Sequence, residues 1–320
     1  MSVASWSSSS SRVFDTINEC LTLAKSDSHE AQEKGLQTLA AITKVSPQNR
    51  TLVAQTDGAI PTLATLTNAS SSIIQTLSLL ILFNLSLNPD LKQSLADMET
   101  IYHLNSLVNS SSSSSRSLDS CKLASSLICS LAMFDKNKAK FGVAGTVQLL
   151  VNAIEDSLID STDAHHFLTS LAELVQFHGN CTLAVRGGAV PVLLQVVKST
   201  DNINEDLAGT SLTVLGLLVR FDEGLNVVKK TNEIISSMLS VLKGRSLLCK
   251  EGAVDILVRL FDESDECVRE ALMLAEFSSV LADLSVRGSA RVRDKADLLM
   301  RKIAKMSLET NMELVCSLYD

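Results

Sequence analysis

Two leucines three residues apart, Leu82 and Leu85, recur along this chain at a nearly constant interval. Residues three apart share one helical face. Equivalents of the first are Leu39, Leu82, Ile128, Leu171, Leu215, Leu257 and Met300; those of the second are Ile42, Leu85, Leu131, Leu174, Leu218, Leu260 and Ile303. Successive differences are 43, 46, 43, 44, 42 and 43 in both series. A third position, four before the first, reads Gly35, Ser78, Ala124, Phe167, Ser211, Ala253 and Ala296, small in six of seven. Long aliphatics make up only about a third of an ordinary chain, so fourteen matches from fourteen positions are not an accident of composition. The outsized interval of 46 contains the run from Ser110 to Ser115, and an insertion there accounts for it.

The stretch from Ile73 to Leu104 shows one unit in full. An apolar helical run ends near Leu87, Asn88-Pro89-Asp90 breaks it, a short amphipathic piece follows, and another helix starts near Ile101. A second element recurs between the long helices: Ala59-Ile60-Pro61 with Leu63 and Leu66, then Ile101, Leu104 and Leu107, then Val147, Leu150 and Ala153, then Ala189-Val190-Pro191 with Leu193 and Val196. Proline suits a helix start, where its missing N–H has no helical partner to lose. Each unit therefore reads as a connector helix, a middle helix and a long helix. A period of about 40 to 47 residues with two or three helices is the range of armadillo and HEAT repeats.

Gly58-Ala59-Ile60-Pro61 and Gly187-Gly188-Ala189-Val190-Pro191, each followed by a leucine-rich helix, resemble armadillo repeats, as does Ile81-Leu82-Phe83-Asn84-Leu85-Ser86. The segments Cys249 to Leu257 and Leu284 to Leu299 are closer still, and resemble the C-terminal armadillo tail of plant U-box ubiquitin ligases. The similarity covers about residues 28–305 and is strongest toward the end. It implies an all-α fold, a right-handed superhelical α-solenoid of about six to seven armadillo-type repeats. No block with U-box signatures precedes the repeats, so ligase activity is not implied.

The chain divides accordingly. Residues 1–12 are Ser-rich and almost uncharged, and a disordered tail is expected there. Residues 13–27 carry a helical stripe from Val13 to Ala24, expected to cap the exposed end of the first repeat. The solenoid is expected over 28–307, with a flexible Ser-rich loop at 109–117, and residues 308–320 form a C-terminal cap or a tail.

A net charge of -8 argues against a nucleic-acid protein, which shows a basic balance. Seven cysteines without a C-x-x-C pair fall mostly within helical patterns and read as buried small hydrophobes of a reducing compartment. The start shows no basic segment leading into an apolar one. The longest apolar run, Leu77 to Leu87, is too short to span a bilayer, so no integral membrane segment is expected. Cytoplasm, nucleus or both is the expected location.

Catalytic constellations are scarce. His29, His103, His165, His166 and His178 form no H-E-x-x-H. Neighbours on a helix point about 100° apart, which keeps His165 and His166 from one metal. Gly244 to Lys250 lacks the second glycine and the preceding strand of a phosphate loop, and no G-x-S-x-G elbow exists. No enzyme, no cofactor and no metal are expected.

What a solenoid offers is a long concave surface. In armadillo proteins the long helices line it, and the resemblance implies which positions face inward. Two before the first core series stand Gln37, Leu80, Ser126, Thr169, Thr213, Asp255 and Leu298; two after it stand Ala41, Asn84, Ser130, Glu173, Leu217, Arg259 and Lys302. Nuclear-import adaptors carry Trp and Asn ladders here, and only Asn84 matches. Asn84 has two readings, a ligand contact or a helix-end hydrogen bond to a neighbouring backbone. Arg287, Arg291, Arg293, Lys295, Arg301, Lys302 and Lys305 crowd the C-terminal end, with Arg259 on the neighbouring unit. Such a run is either a solvated face or a site for an acidic or phosphorylated peptide, since Arg and Lys match carboxylate and phosphate. Nucleic acid fits less well, because no aromatic residues interleave. The candidate groove residues are Asn84, Ser130, Glu173, Asp255, Arg259, Lys295 and Lys302.

The leading functional reading is a non-catalytic interaction scaffold holding a partner peptide or helix, in ubiquitin-dependent signalling by analogy with the U-box relatives. A second is a regulator of membrane or cytoskeletal assemblies acting through partner binding. An enzyme stands third.

Overall fold

The computed structural model describes residues 3–109, 118–157, 164–199 and 205–317. Among them are twenty α-helices, one short 3₁₀ turn and no strand. The chain divides into two compact units, Met1–Ala153 and Ile154–Asp320.

The first unit opens with α1 (Val3–Ala24) and α2 (His29–Val45). A triplet follows: α3 (Pro47–Gln55), α4 (Ala59–Leu66) and α5 (Ser72–Ser86). The turn Pro89–Leu91 leads into a second triplet, α6 (Lys92–Leu95), α7 (Met98–Asn109) and α8 (Leu118–Ala132). Next come α9 (Asp135–Val143) and α10 (Thr146–Asp156), within which the boundary falls. In this unit α5 packs on α2 and α8 packs on α5.

The second unit holds α11 (Ala164–Leu174) and three triplets. These are α12 (His178–Arg186), α13 (Ala189–Ser199) and α14 (Glu205–Leu218); α15 (Asp222–Lys229), α16 (Ile234–Lys243) and α17 (Leu247–Glu263); and α18 (Asp265–Met273), α19 (Phe277–Arg287) and α20 (Ala290–Ser317). Here α14 packs on α11, α17 on α14 and α20 on α17. The connector, middle and long helices read from the sequence are thus present in order, and each unit is an armadillo-type solenoid.

Local chemistry sets the helix starts. Ser46, Ser246, Ser264 and Ser289 each accept a backbone N–H three residues on, opening α3, α17, α18 and α20. The middle helices start differently. Gly58, Gly145 and Gly188 precede α4, α10 and α13 at φ of 72°, 79° and 82°, and the left-handed region is where glycine carries no Cβ penalty. At the corresponding place before α16 the residue is Glu233, at φ 60°.

The sequence ladder is the core. In the first series every member but Met300 is buried, and in the second every member but Ile42. Met300 lies on the last long helix, beyond which no further long helix stands among the described residues; α2, which carries Ile42, packs on both α1 and α5. The small third position is buried throughout. Burying one leucine contributes about 2 kcal/mol, against about 1 kcal/mol for a typical hydrogen bond. The apolar ladder therefore dominates, and the polar links described below choose register.

Two segments differ from expectation. The first helix begins at Val3, inside the stretch read as a tail. Serine is only a modest helix former, yet a helix nucleated by the Val13 to Ala24 stripe extends by one bond per residue. At the other end α20 runs unbroken to Ser317, so residues 308–317 continue the long helix rather than form a separate cap. The Ser-rich loop expected at 109–117 lies, from residue 110, outside the described residues.

Candidate partner-binding cleft

Four of the candidate groove residues share one behaviour: each reaches back to the preceding long helix. Asn84 Nδ2 donates to Thr43 Oγ1 at 3.1 Å, from α5 to α2. Ser130 on α8 lies 2.7 Å from the Ser86 hydroxyl of α5, and also accepts from Lys92 Nζ at 3.0 Å. Arg259 on α17 donates from Nε to the Val219 carbonyl just beyond α14, at 3.4 Å. Lys302 on α20 pairs with Asp262 of α17. Asn84 and Ser130 are buried, with 8% and 6% of their surface exposed. The Asn84 amide thus bonds within the fold, to a side-chain acceptor where a backbone one was expected. Glu173 on α11 is half-buried and accepts from Gln176 Nε2 at 3.0 Å.

The structure does gather Asp255, Arg259 and Lys295. Glu251, Asp255 and Arg259 stand four apart on one stripe of α17, and Arg291 and Lys295 stand four apart on α20. With Arg220, just past the end of α14, they line a cleft of about 320 Å³. Its apolar wall includes Leu212, Leu217, Leu248 and Val258, and Gly216 adds a bare stretch of backbone. Four bases face two acids, so the cleft carries a net positive charge inside an acidic protein.

Part of that charge is already engaged. Asp255 stands against both bases: one oxygen accepts a hydrogen bond from Arg291, and the other, buried, lies against the Lys295 ammonium without a hydrogen bond. Glu251 accepts from the Ser289 hydroxyl at 2.8 Å. Arg259 reaches Glu263 only at 4.0 Å, and Arg220 makes no ion pair among the described residues. Burial holds the Lys295 ammonium below its usual pKa; nearby Glu251 pulls it back up, and Arg220 pushes it further down. Lys302 is lowered by burial as well.

The free basic surface suggested by the C-terminal run is thus a set of ion pairs in large part, since Arg287 also meets Asp283 at 3.2 Å and Lys305 approaches Glu309 at 3.8 Å. The signal was present in the numbering. Asp255 and Asp262 are seven apart on α17, and Lys295 and Lys302 are seven apart on α20. A seven-residue step returns to the same helical face, so the two helices carry matching acidic and basic steps. Arg220 and Gly216 left no comparable mark, because neither falls on the ladder positions.

A larger cleft of about 500 Å³ in the same unit is lined by Lys198, Glu205, Glu233 and Arg245 among others, and there the charges balance. Among the described residues no three His, Cys, Asp or Glu side chains converge to hold a metal. No single described helix is long and apolar enough to cross a membrane.

No protein-family model matches the chain. Among solved structures, a computationally designed armadillo repeat protein for modular peptide recognition superposes with a TM-score of 0.65. It covers 77% of this chain and 99% of its own length, at 14% identity. This is an armadillo-repeat fold. Distant sequence similarity joins these armadillo repeats to plant U-box proteins. U-box domain-containing protein 8 of Arabidopsis thaliana is 27% identical over 250 residues, 78% of this chain and 63% of that protein. U-box domain-containing protein 1 of Medicago truncatula is 33% identical over 120 residues, 37% of this chain and 17% of that protein. The chain thus spans less than two thirds of the length of either relative.

Proposed function

We propose that this armadillo-repeat chain is a non-catalytic scaffold of the cytoplasm or nucleus that holds an extended, acidic partner peptide against the long helices of its second unit. The observation that carries the reading is the cleft shared by α14, α17 and α20, where Arg220 and Arg259 stand beside Arg291 and Lys295 against only Glu251 and Asp255. Guanidinium forks match carboxylate and phosphate geometry, and consecutive long helices give an extended chain successive footholds. Peptide recognition by the designed armadillo protein supports the same use of the fold. The plant U-box relatives support a place in ubiquitin-dependent signalling.

An arrayed peptide library graded from neutral to strongly acidic tests the proposal. Wild type is expected to retain the acidic members, and the Arg220→Glu, Arg259→Glu double variant to lose them while keeping its helical circular dichroism. Equal retention by both proteins, or a preference for basic members, sinks the reading.

A further inference from the structure

The cleft contains its own anion and an unexplained glycine. Gly216 sits within α14, where glycine weakens a helix relative to alanine. Inside a helix such a residue ordinarily makes room for a packed neighbour. Here a Cβ added to Gly216 meets nothing within 4 Å. No part of the fold needs the space, and the space belongs to the cleft. Asp255, across from it on α17, accepts a hydrogen bond from Arg291 through one oxygen, and its other oxygen, buried and without a hydrogen bond, is ion-paired with Lys295. Its side chain is only 25% exposed, and that of Lys295 28%, so the pair is held largely out of water.

Resting on the peptide-scaffold reading above, we propose that Asp255 is an internal competitor, which occupies Arg291 and Lys295 until a single carboxylate or phosphoryl group of an acidic peptide enters beside Gly216 and displaces it. The incoming group meets Arg220 first, since that guanidinium has no ion-pair partner among the described residues, and Arg259 next, since Glu263 holds it only at 4.0 Å. Lys295 is the contested cation. Its ammonium is partly desolvated and gains from any second anion brought close. A phosphoryl group, with more charge and three acceptor oxygens, competes with Asp255 better than a carboxylate. The device sets a threshold: weakly acidic segments leave Asp255 in place, and strongly anionic ones turn it out. Gly216 adds shape to charge, because any side chain there projects into the space the group must enter.

The test uses the full chain and short fluorescein-labelled peptides that differ only at a central residue, glutamine, glutamate or phosphoserine, read by anisotropy. Wild type is expected to bind phosphoserine over glutamate over glutamine. Asp255→Asn should tighten the two anionic peptides by about fivefold, the upper end for a partly exposed ion pair, and leave the glutamine peptide unchanged. Gly216→Leu should weaken both by about tenfold or more. Gly216→Ala should raise the unfolding midpoint yet weaken binding, a combination that misfolding does not produce. If wild type binds acidic peptide but Asp255→Asn binds it equally or more weakly, Asp255 is a structural clamp; the competitor idea falls and the scaffold reading stands. If inorganic polyphosphate binds wild type and Gly216→Leu alike, and the peptides follow it, the cleft is charge without shape and the inference also falls. If no acidic peptide binds wild type or Asp255→Asn, both readings fall together.

Discussion

Asn84 and Thr43 join adjacent long helices across 41 positions of sequence: the Asn84 amide donates to the Thr43 hydroxyl at 3.1 Å, and that hydroxyl donates onward to the Leu39 and Ala40 carbonyls of its own helix. Removing the amide leaves Thr43 still bonded, so no buried donor is orphaned and the loss stays near that of one hydrogen bond. Asn84→Ala should lower stability by about 1 kcal/mol, and in a Thr43→Val background by clearly less. Denaturant midpoints of the four proteins in the cycle check this. Because the residue faces its neighbour and not solvent, the same substitution should leave acidic-peptide binding by the second unit unchanged. A loss of peptide binding in Asn84→Ala would restore the ligand-contact reading.

Three asparagines at the starts of connector helices act in parallel on the ends of the long helices. Asn49 donates to the Ile42 carbonyl at 3.1 Å, Asn137 to Leu131 at 3.0 Å, and Asn180 to Leu174 at 3.0 Å. A helix end leaves its last carbonyls without intrahelical partners, and each of these acceptors is a member of the second core series. Asn137 is fully buried and also donates to the Lys92 carbonyl at 2.9 Å, whereas Asn49 is half-buried. Asn137→Ala removes two buried hydrogen bonds at once and should cost about 2 kcal/mol. Asn49→Ala, with water at hand, should cost about 1 kcal/mol. Equilibrium denaturation decides the order, and equal costs would show that burial does not set the difference.

What was legible in the sequence is what a solenoid repeats locally. Leu82 and Leu85 predict burial in every later copy but Met300, because each unit buries the same stripe on its neighbour. The groove residues were legible only as positions. Asn84, Ser130, Arg259 and Lys302 occupy ladder positions that the repeat pattern turns inward, yet their partners lie 41, 44, 40 and 40 positions back. A helix packed between two others offers little free face, and a polar side chain one step off the core stripe meets the preceding helix before it meets solvent. Asn49, Asn137 and Asn180 carry no comparable mark in the sequence, since short polar clusters look alike whether they face water or a helix end. Arg220 and Gly216 acquire meaning only when α14, α17 and α20 are brought together, which no single repeat encodes.

Cys181 supplies a chemical prediction. Its thiol is buried and donates to the Val175 carbonyl at 2.7 Å. Burial is the larger cause that pushes its pKa up, from 9.0 to about 11, and the Arg220 charge offsets only part of this. The thiolate is the reactive species, so native protein at pH 8 should leave Cys181 unalkylated by iodoacetamide while denatured protein labels fully, as site-resolved mass spectrometry reads. Linkage gives the sign of the accompanying stability change. The folded state holds the proton more tightly, so this contribution is complete below pH 9.0 and is lost as the pH rises through about 11. Rapid native labelling of Cys181 at pH 8 would mean that this helix start opens far more often than its packing allows.

Glu233 occupies a position that three other middle helices, α4, α10 and α13, give to glycine. Gly145 and Gly188 stand at φ 79° and 82° with nothing within 4 Å of an added Cβ, so the demand at this place is for backbone conformation and not for room. Glu233 meets the same demand at φ 60° with an exposed side chain, and its carbonyl accepts the Ser237 N–H at 2.9 Å, which fixes the start of α16. A non-glycine residue in the left-handed region costs about 1–2 kcal/mol. Replacing it with glycine removes that strain but returns about 0.4–1 kcal/mol to the unfolded chain as entropy. Glu233→Gly should therefore stabilise the protein by about 0.5–1 kcal/mol. Gly188→Ala, which imposes the strain on a site that lacks it, should destabilise by about 1 kcal/mol. Thermal midpoints of the two variants should move in opposite directions. A destabilised Glu233→Gly would show that the side chain itself, on the rim of the charge-balanced 500 Å³ cleft, holds that repeat in place.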